Sequence, residues 1–168
     1  MSPASSPLEA FQTRIGALTW ADLVAGYDFG FLTSLDIQLA APGKGPAVQC
    51  LRALEGSALK TFEVHLWAAC AEALGKTPRP GSVRWSEAQD RWREALLQEA
   101  LAVETTAAHL ARAVERLYEQ LGCPEDMLIM LKPSWAWCGT PATVDPAAVQ
   151  AFLDGTRLRS TFRKKPIS

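Results

Sequence analysis

The sequence has little of what catalysis and metal binding usually require. It contains two histidines and four cysteines, and no cysteine pair has the CxxC spacing of a zinc or redox site. No HExxH motif is present, and Gly43-Lys44-Gly45 is followed by a proline where a phosphate loop needs a hydroxyl. No uncharged run has membrane-spanning length, and there is no secretory leader pattern. We therefore expect no cofactor, no metal, no membrane insertion and a cytoplasmic location with reduced thiols.

Charge is unevenly distributed, although the net charge is only −1. All 18 acidic residues but only 12 of the 17 basic residues precede residue 157. The remaining basic residues form a C-terminal cluster: Arg157, Arg159, Arg163, Lys164 and Lys165. One interpretation is a solvated basic terminus on an acidic body, and the other is an arm for nucleic acid or a protein partner.

A helical pattern dominates the stretch from Ser86 to Gly122, which has no glycine or proline before its last residue. Apolar residues recur in it at helical spacing: Trp92, Leu96, Val103, Leu110, Val114, Leu117 and Leu121. A single helix over 86–121 would be about 54 Å long, which is large for a domain of this size. We therefore predict two helices with a break near Thr105, where either Thr105 or Thr106 is suited to be the new N-cap.

Other helix starts are marked by capping residues. The predicted starts are Ser6-Pro7-Leu8-Glu9, Thr19, Thr33, Ser86 with Gln89, and Asp145-Pro146. Gly26 and Gly30 are expected to bracket a turn, and Gly155 is expected to end the last helix. Further helices are predicted over 47–55, over 59–74 and, unless it is a strand, from Pro124 to Leu131.

These patterns predict an all-α protein. We expect residues 1–168 to form a single-domain irregular bundle of about seven to nine helices, with a basic C-terminal tail from about residue 157. Cys50 and Cys70 should behave as small core residues. The predicted core is Phe62, Leu66, Cys70, Trp92, Leu96, Leu110, Val114, Leu117 and Leu121.

Few side chains are candidates for chemistry. Cys138 lies beside a glycine in a predicted loop and is the best candidate nucleophile, but no recognisable base accompanies it. His65 and His109 lie in helical patterns, where neither has an evident catalytic partner. Residues 20–37 contain no Lys or Arg, so a DNA-reading helix-turn-helix is not expected there. We expect no catalytic residue, and a small cysteine- or histidine-dependent enzyme stays an alternative.

Two of the six tryptophans, Trp135 and Trp137, lie in a loop predicted over 132–144. Either they pack on the core, or they anchor a protein partner, since Trp is enriched in binding hot spots. The candidate partner-binding residues are therefore Trp135, Trp137, Arg157, Arg159, Arg163, Lys164 and Lys165.

Three stretches resemble an uncharacterised bacterial family, domain of unknown function 2247. They are Leu18–Gly26 with Leu32–Ile37, Arg91–Leu97, and Leu117–Asp126 with Met130 and Pro133 after it. The resemblance covers about residues 18–155 and brings no catalytic residues with it. It implies a likeness to small bacterial proteins that accompany toxin systems as antitoxins.

Together these observations predict a non-enzymatic protein-binding domain. An immunity protein that occludes a cognate toxin encoded nearby is the favoured form of this hypothesis, because an acidic body suits a basic toxin. The alternatives are the small enzyme described above and a nucleic-acid-binding module that uses the basic tail.

Overall fold

The computed structural model describes residues 5–56, 59–131 and 143–163, apart from the side chains of 157–163. Over these ranges the chain forms eight α-helices and one 3-10 helix, with no strand, which confirms the all-α prediction. No helix in these ranges is long and apolar enough to cross a membrane. The helices are α1 (Pro7–Arg14), α2 (Trp20–Asp28), α3 (Ser34–Ala40), α4 (Pro46–Arg52), α5 (Leu59–Leu74), α6 (Val83–Val103), α7 (Ala107–Gln120), the 3-10 helix (Glu125–Ile129) and α8 (Pro146–Arg163).

Each of the first three helices begins with a reciprocal capping box. The N-cap hydroxyl accepts the backbone N–H three residues on, and the carboxylate there accepts the backbone N–H of the N-cap. The pairs are Ser6 with Glu9, Thr19 with Asp22, and Thr33 with Asp36. Because a box satisfies two donors that a helix otherwise leaves open, local sequence is enough to set these starts. The three predicted starts are confirmed.

The structure groups into two compact units, residues 1–92 and 93–168, and each is described by itself. Eight of the nine predicted core residues are buried, four in each unit. The exception is Leu96, which is half-buried, whereas its neighbour Leu97 is fully buried. The single-domain organisation stays a prediction.

Trp92 lies at the centre of the core of residues 1–92. Its indole is fully buried, and its ring centroid lies 4.5 Å from that of Phe11 and 5.3 Å from that of Phe31. The indole Nε1 donates to the backbone oxygen of Asp22 at 2.8 Å. Gly26 lies inside α2, not in the predicted turn, and a Cβ there would approach Cζ2 of Trp92 to 2.6 Å. The missing side chain is therefore what admits the indole ring.

The predicted break in the long helical pattern is confirmed, but the first of the two helices does not begin at Ser86. Helix α6 ends at Val103, and α7 begins at Ala107 with the Thr106 hydroxyl accepting the N–H of His109. At the other end α6 starts at Val83, because the Ser82 hydroxyl accepts the N–H of Trp85. Ser82 thus takes the capping position that the prediction gave to Ser86.

The short helix predicted from Pro124 to Leu131 is present as a 3-10 helix over Glu125–Ile129 that buries Met127, so the strand alternative for 127–131 is wrong. The predicted end of the last helix is corrected. Helix α8 does not end at Gly155 and continues to Arg163, so the first part of the predicted basic tail is helical. Gly155 does not have the positive φ that glycine commonly adopts where it ends a helix.

Candidate functional site

The two histidines lie on different helices. His65 is half-buried on α5, and His109 is exposed at the start of α7, where its Nδ1 lies 3.9 Å from a Glu104 carboxylate oxygen. Within the described ranges, no group of three or more His, Cys, Asp and Glu side chains could hold a metal ion.

The three cysteines that the structure describes differ in burial: Cys70 is buried, whereas Cys50 and Cys123 are exposed. Burial raises the pKa of the Cys70 thiol to about 11, so this group stays protonated and unreactive near neutral pH. Cys50 is exposed, which contradicts its prediction as a core residue, and Cys123 is exposed as well. Cys138, the candidate nucleophile, lies outside the described residues.

The predicted partner-binding residues fall mostly where side chains are not described. Trp135, Trp137, Lys164 and Lys165 lie outside the described residues. The backbone of Arg157, Arg159 and Arg163 belongs to the last turns of α8. The roles assigned to all seven stay predictions.

Asp22 is the buried acid of residues 1–92, and its contacts are structural. Its Oδ2 accepts from the Thr19 backbone N–H and hydroxyl, each at 2.7 Å, and from Arg91 Nη1 at 2.8 Å. Desolvation raises the pKa of this carboxyl, against the lowering effects of the Thr19 hydrogen bonds and the Arg91 charge. Arg91 also donates to the Ala17 carbonyl and lies over the Phe11 ring. Oδ2 of Asp22 therefore joins the start of α2 to α6, whereas its Oδ1 is buried without a hydrogen-bond partner.

A groove in residues 93–168, which we call the α8 groove, has the size of a binding pocket. It has a volume of about 610 Å³, is open on one side and runs between the 3-10 helix and α8. This volume is within the usual range of about 300–1,000 Å³ for binding pockets. The lining residues are Glu125, Asp126, Ile129, Ala148, Ala151, Phe152 and Gly155.

Arg93 holds the two walls of the α8 groove in place. Its Nη1 donates to both carboxylate oxygens of Asp126, at 2.8 and 2.9 Å, and its guanidinium lies 5.1 Å from the centroid of the Phe152 ring. The Arg93 side chain is only 7% exposed, whereas that of Asp126 is 39% exposed. A charge-assisted bond and a cation–π contact from one buried cation thus fix both a 3-10 helix residue and an α8 residue.

The rim of the α8 groove exposes apolar surface. Ile129 is 78% exposed and Leu128, beside it on the 3-10 helix, is 50% exposed. Glu125 is exposed at the same wall, while the Asp126 charge is partly compensated by Arg93. The groove therefore combines an apolar lining with an acidic edge.

The α8 groove was not predicted from the sequence, because its two walls come from elements that are distant along the chain. Ala148, Ala151 and Gly155 recur at three- and four-residue spacing, and the pattern of Phe152, Leu153 and Thr156 continues past the glycine. That small-residue spacing was the available signal. Arg93 was missed for another reason, since nothing in its neighbours along the chain indicates burial.

The structure is thus that of an all-helical protein with an open, mostly apolar groove between the 3-10 helix and α8. Comparison of the chain with protein-family models, with curated proteins and with solved structures found no match.

Proposed function

We propose that this is a non-enzymatic protein-binding protein, and that its role is that of an immunity protein that occludes a toxin by direct contact. The observation that carries the proposal is the α8 groove, with its apolar lining and the exposed Ile129 at its rim. Exposed apolar surface next to a preformed groove is typical of protein interfaces.

The charge of the chain supports a basic partner. Before residue 157 there are 18 acidic residues and 12 of the 17 basic ones, so this part of the protein is acidic. Complementary charge accelerates association and disfavours wrong partners. Toxins that act on nucleic acid are themselves basic, since they must bind phosphate. The proposal also takes support from the resemblance to domain of unknown function 2247, which implies a likeness to antitoxins.

The first experiment is co-expression with the product of each adjacent gene. We expect one of these products to arrest growth when expressed alone, to be tolerated when this protein is present, and to co-purify with it. If no neighbouring product is toxic or forms a complex, the immunity role is refuted.

The second experiment asks whether the complex uses the α8 groove. Ile129→Ala should weaken binding by about 2 kcal/mol, or about thirtyfold, as expected of an interface anchor. Leu39→Ala is the matched control, because Leu39 is 75% exposed, close to the 78% of Ile129, and lies on α3. Both variants should retain wild-type stability. Equal affinities for the two variants would exclude the groove as the binding surface.

A further inference from the structure

We draw no further inference here: the strongest candidate, the α8 groove with the exposed Glu125 and Ile129 at its rim, belongs to the site already described, and nothing in the structure shows what covers it.

Discussion

At the scale of single residues, two interior helical glycines have opposite surroundings. A Cβ on Gly26 would lie 2.6 Å from a fully buried indole, whereas a Cβ on Gly155 would meet nothing within 4 Å. Trp92 is held by its hydrogen bond to Asp22, so it is not free to move away. The same substitution should therefore change stability in opposite directions.

We predict that Gly26→Ala lowers the free energy of unfolding by about 1–3 kcal/mol, as overpacking of a core does. Gly155→Ala should raise it by about 0.5–1 kcal/mol, because alanine loses less conformational entropy in a helix. Urea unfolding of both variants checks the pair. Destabilisation by Gly155→Ala would contradict the open surroundings of this position, and a neutral Gly26→Ala would contradict the tight packing of Trp92.

Asp22 gives a prediction about pH. Burial raises the pKa of its carboxyl above the usual 3.8, so the native protein holds this proton more tightly than the unfolded chain does. The stability that Asp22 contributes is then fully present below pH 3.8 and is lost as pH rises through the native pKa.

Asp22→Asn removes this titration, so the wild type should lose stability relative to the variant as pH rises from acid toward neutral. Unfolding free energies measured across that range check the difference between the two proteins. Asp36→Asn is the control, because it alters the corresponding carboxylate of the α3 capping box. If the wild type and Asp22→Asn have parallel pH profiles, burial does not control this carboxyl.

At the scale of helices, the break between α6 and α7 depends on one side chain. Thr106 accepts the N–H of His109 at 3.2 Å, while Thr105 beside it is exposed. Thr106→Ala should cost about 0.5–2 kcal/mol through the lost N-cap, and Thr105→Ala should be close to neutral. Thermal and urea unfolding distinguish the two variants, and equal losses would mean that Thr106 is not the cap.

Helix α7 packs through its apolar stripe, and Leu117 in that stripe is only 5% exposed. Leu117→Ala should lower the free energy of unfolding by about 2–5 kcal/mol, the usual cost of emptying a core position. Val103→Ala at the end of α6 is a control, since that side chain is 39% exposed and its loss should cost under about 0.5 kcal/mol. A loss well below 1 kcal/mol for Leu117→Ala would place the stripe outside the core.

Helix starts could be predicted because their chemistry is local. The hydroxyl and carboxylate of a capping box lie three residues apart, so Thr19 and Thr33 could be recognised from the sequence. Gly155 shows the limit of such reasoning, since glycine commonly ends helices and only the three-dimensional surroundings show that it does not do so here.

The α8 groove could not be predicted, for a related reason. Its two walls are separated along the chain by residues 130–145, and sequence patterns do not show which distant elements meet. The burial of Arg93 follows from its contacts with Asp126 and Phe152, which are also distant in sequence. The sequence did not show that Leu97, and not Leu96, is the fully buried residue, because adjacent positions on a helix point only about 100° apart.

At the scale of the whole molecule, charge and shape should affect different rate constants of the proposed complex. The acidic excess before residue 157 acts at long range and steers a basic partner, so added salt should slow association. Ile129 acts at contact, so Ile129→Ala should chiefly accelerate dissociation. Stopped-flow measurements on the co-purified pair separate these effects, and association that is insensitive to salt would exclude electrostatic steering.

Gly155 also bears on how variants of this protein would fare under selection. An alanine there should increase the amount of folded protein in the cell, whereas any added side chain reduces the open space of the α8 groove. A library screened for abundance should therefore enrich alanine at position 155, and the same library screened for binding of the proposed partner should retain glycine. The position at which the two screens disagree most would identify the contact surface of the proposed complex without any structure of that complex.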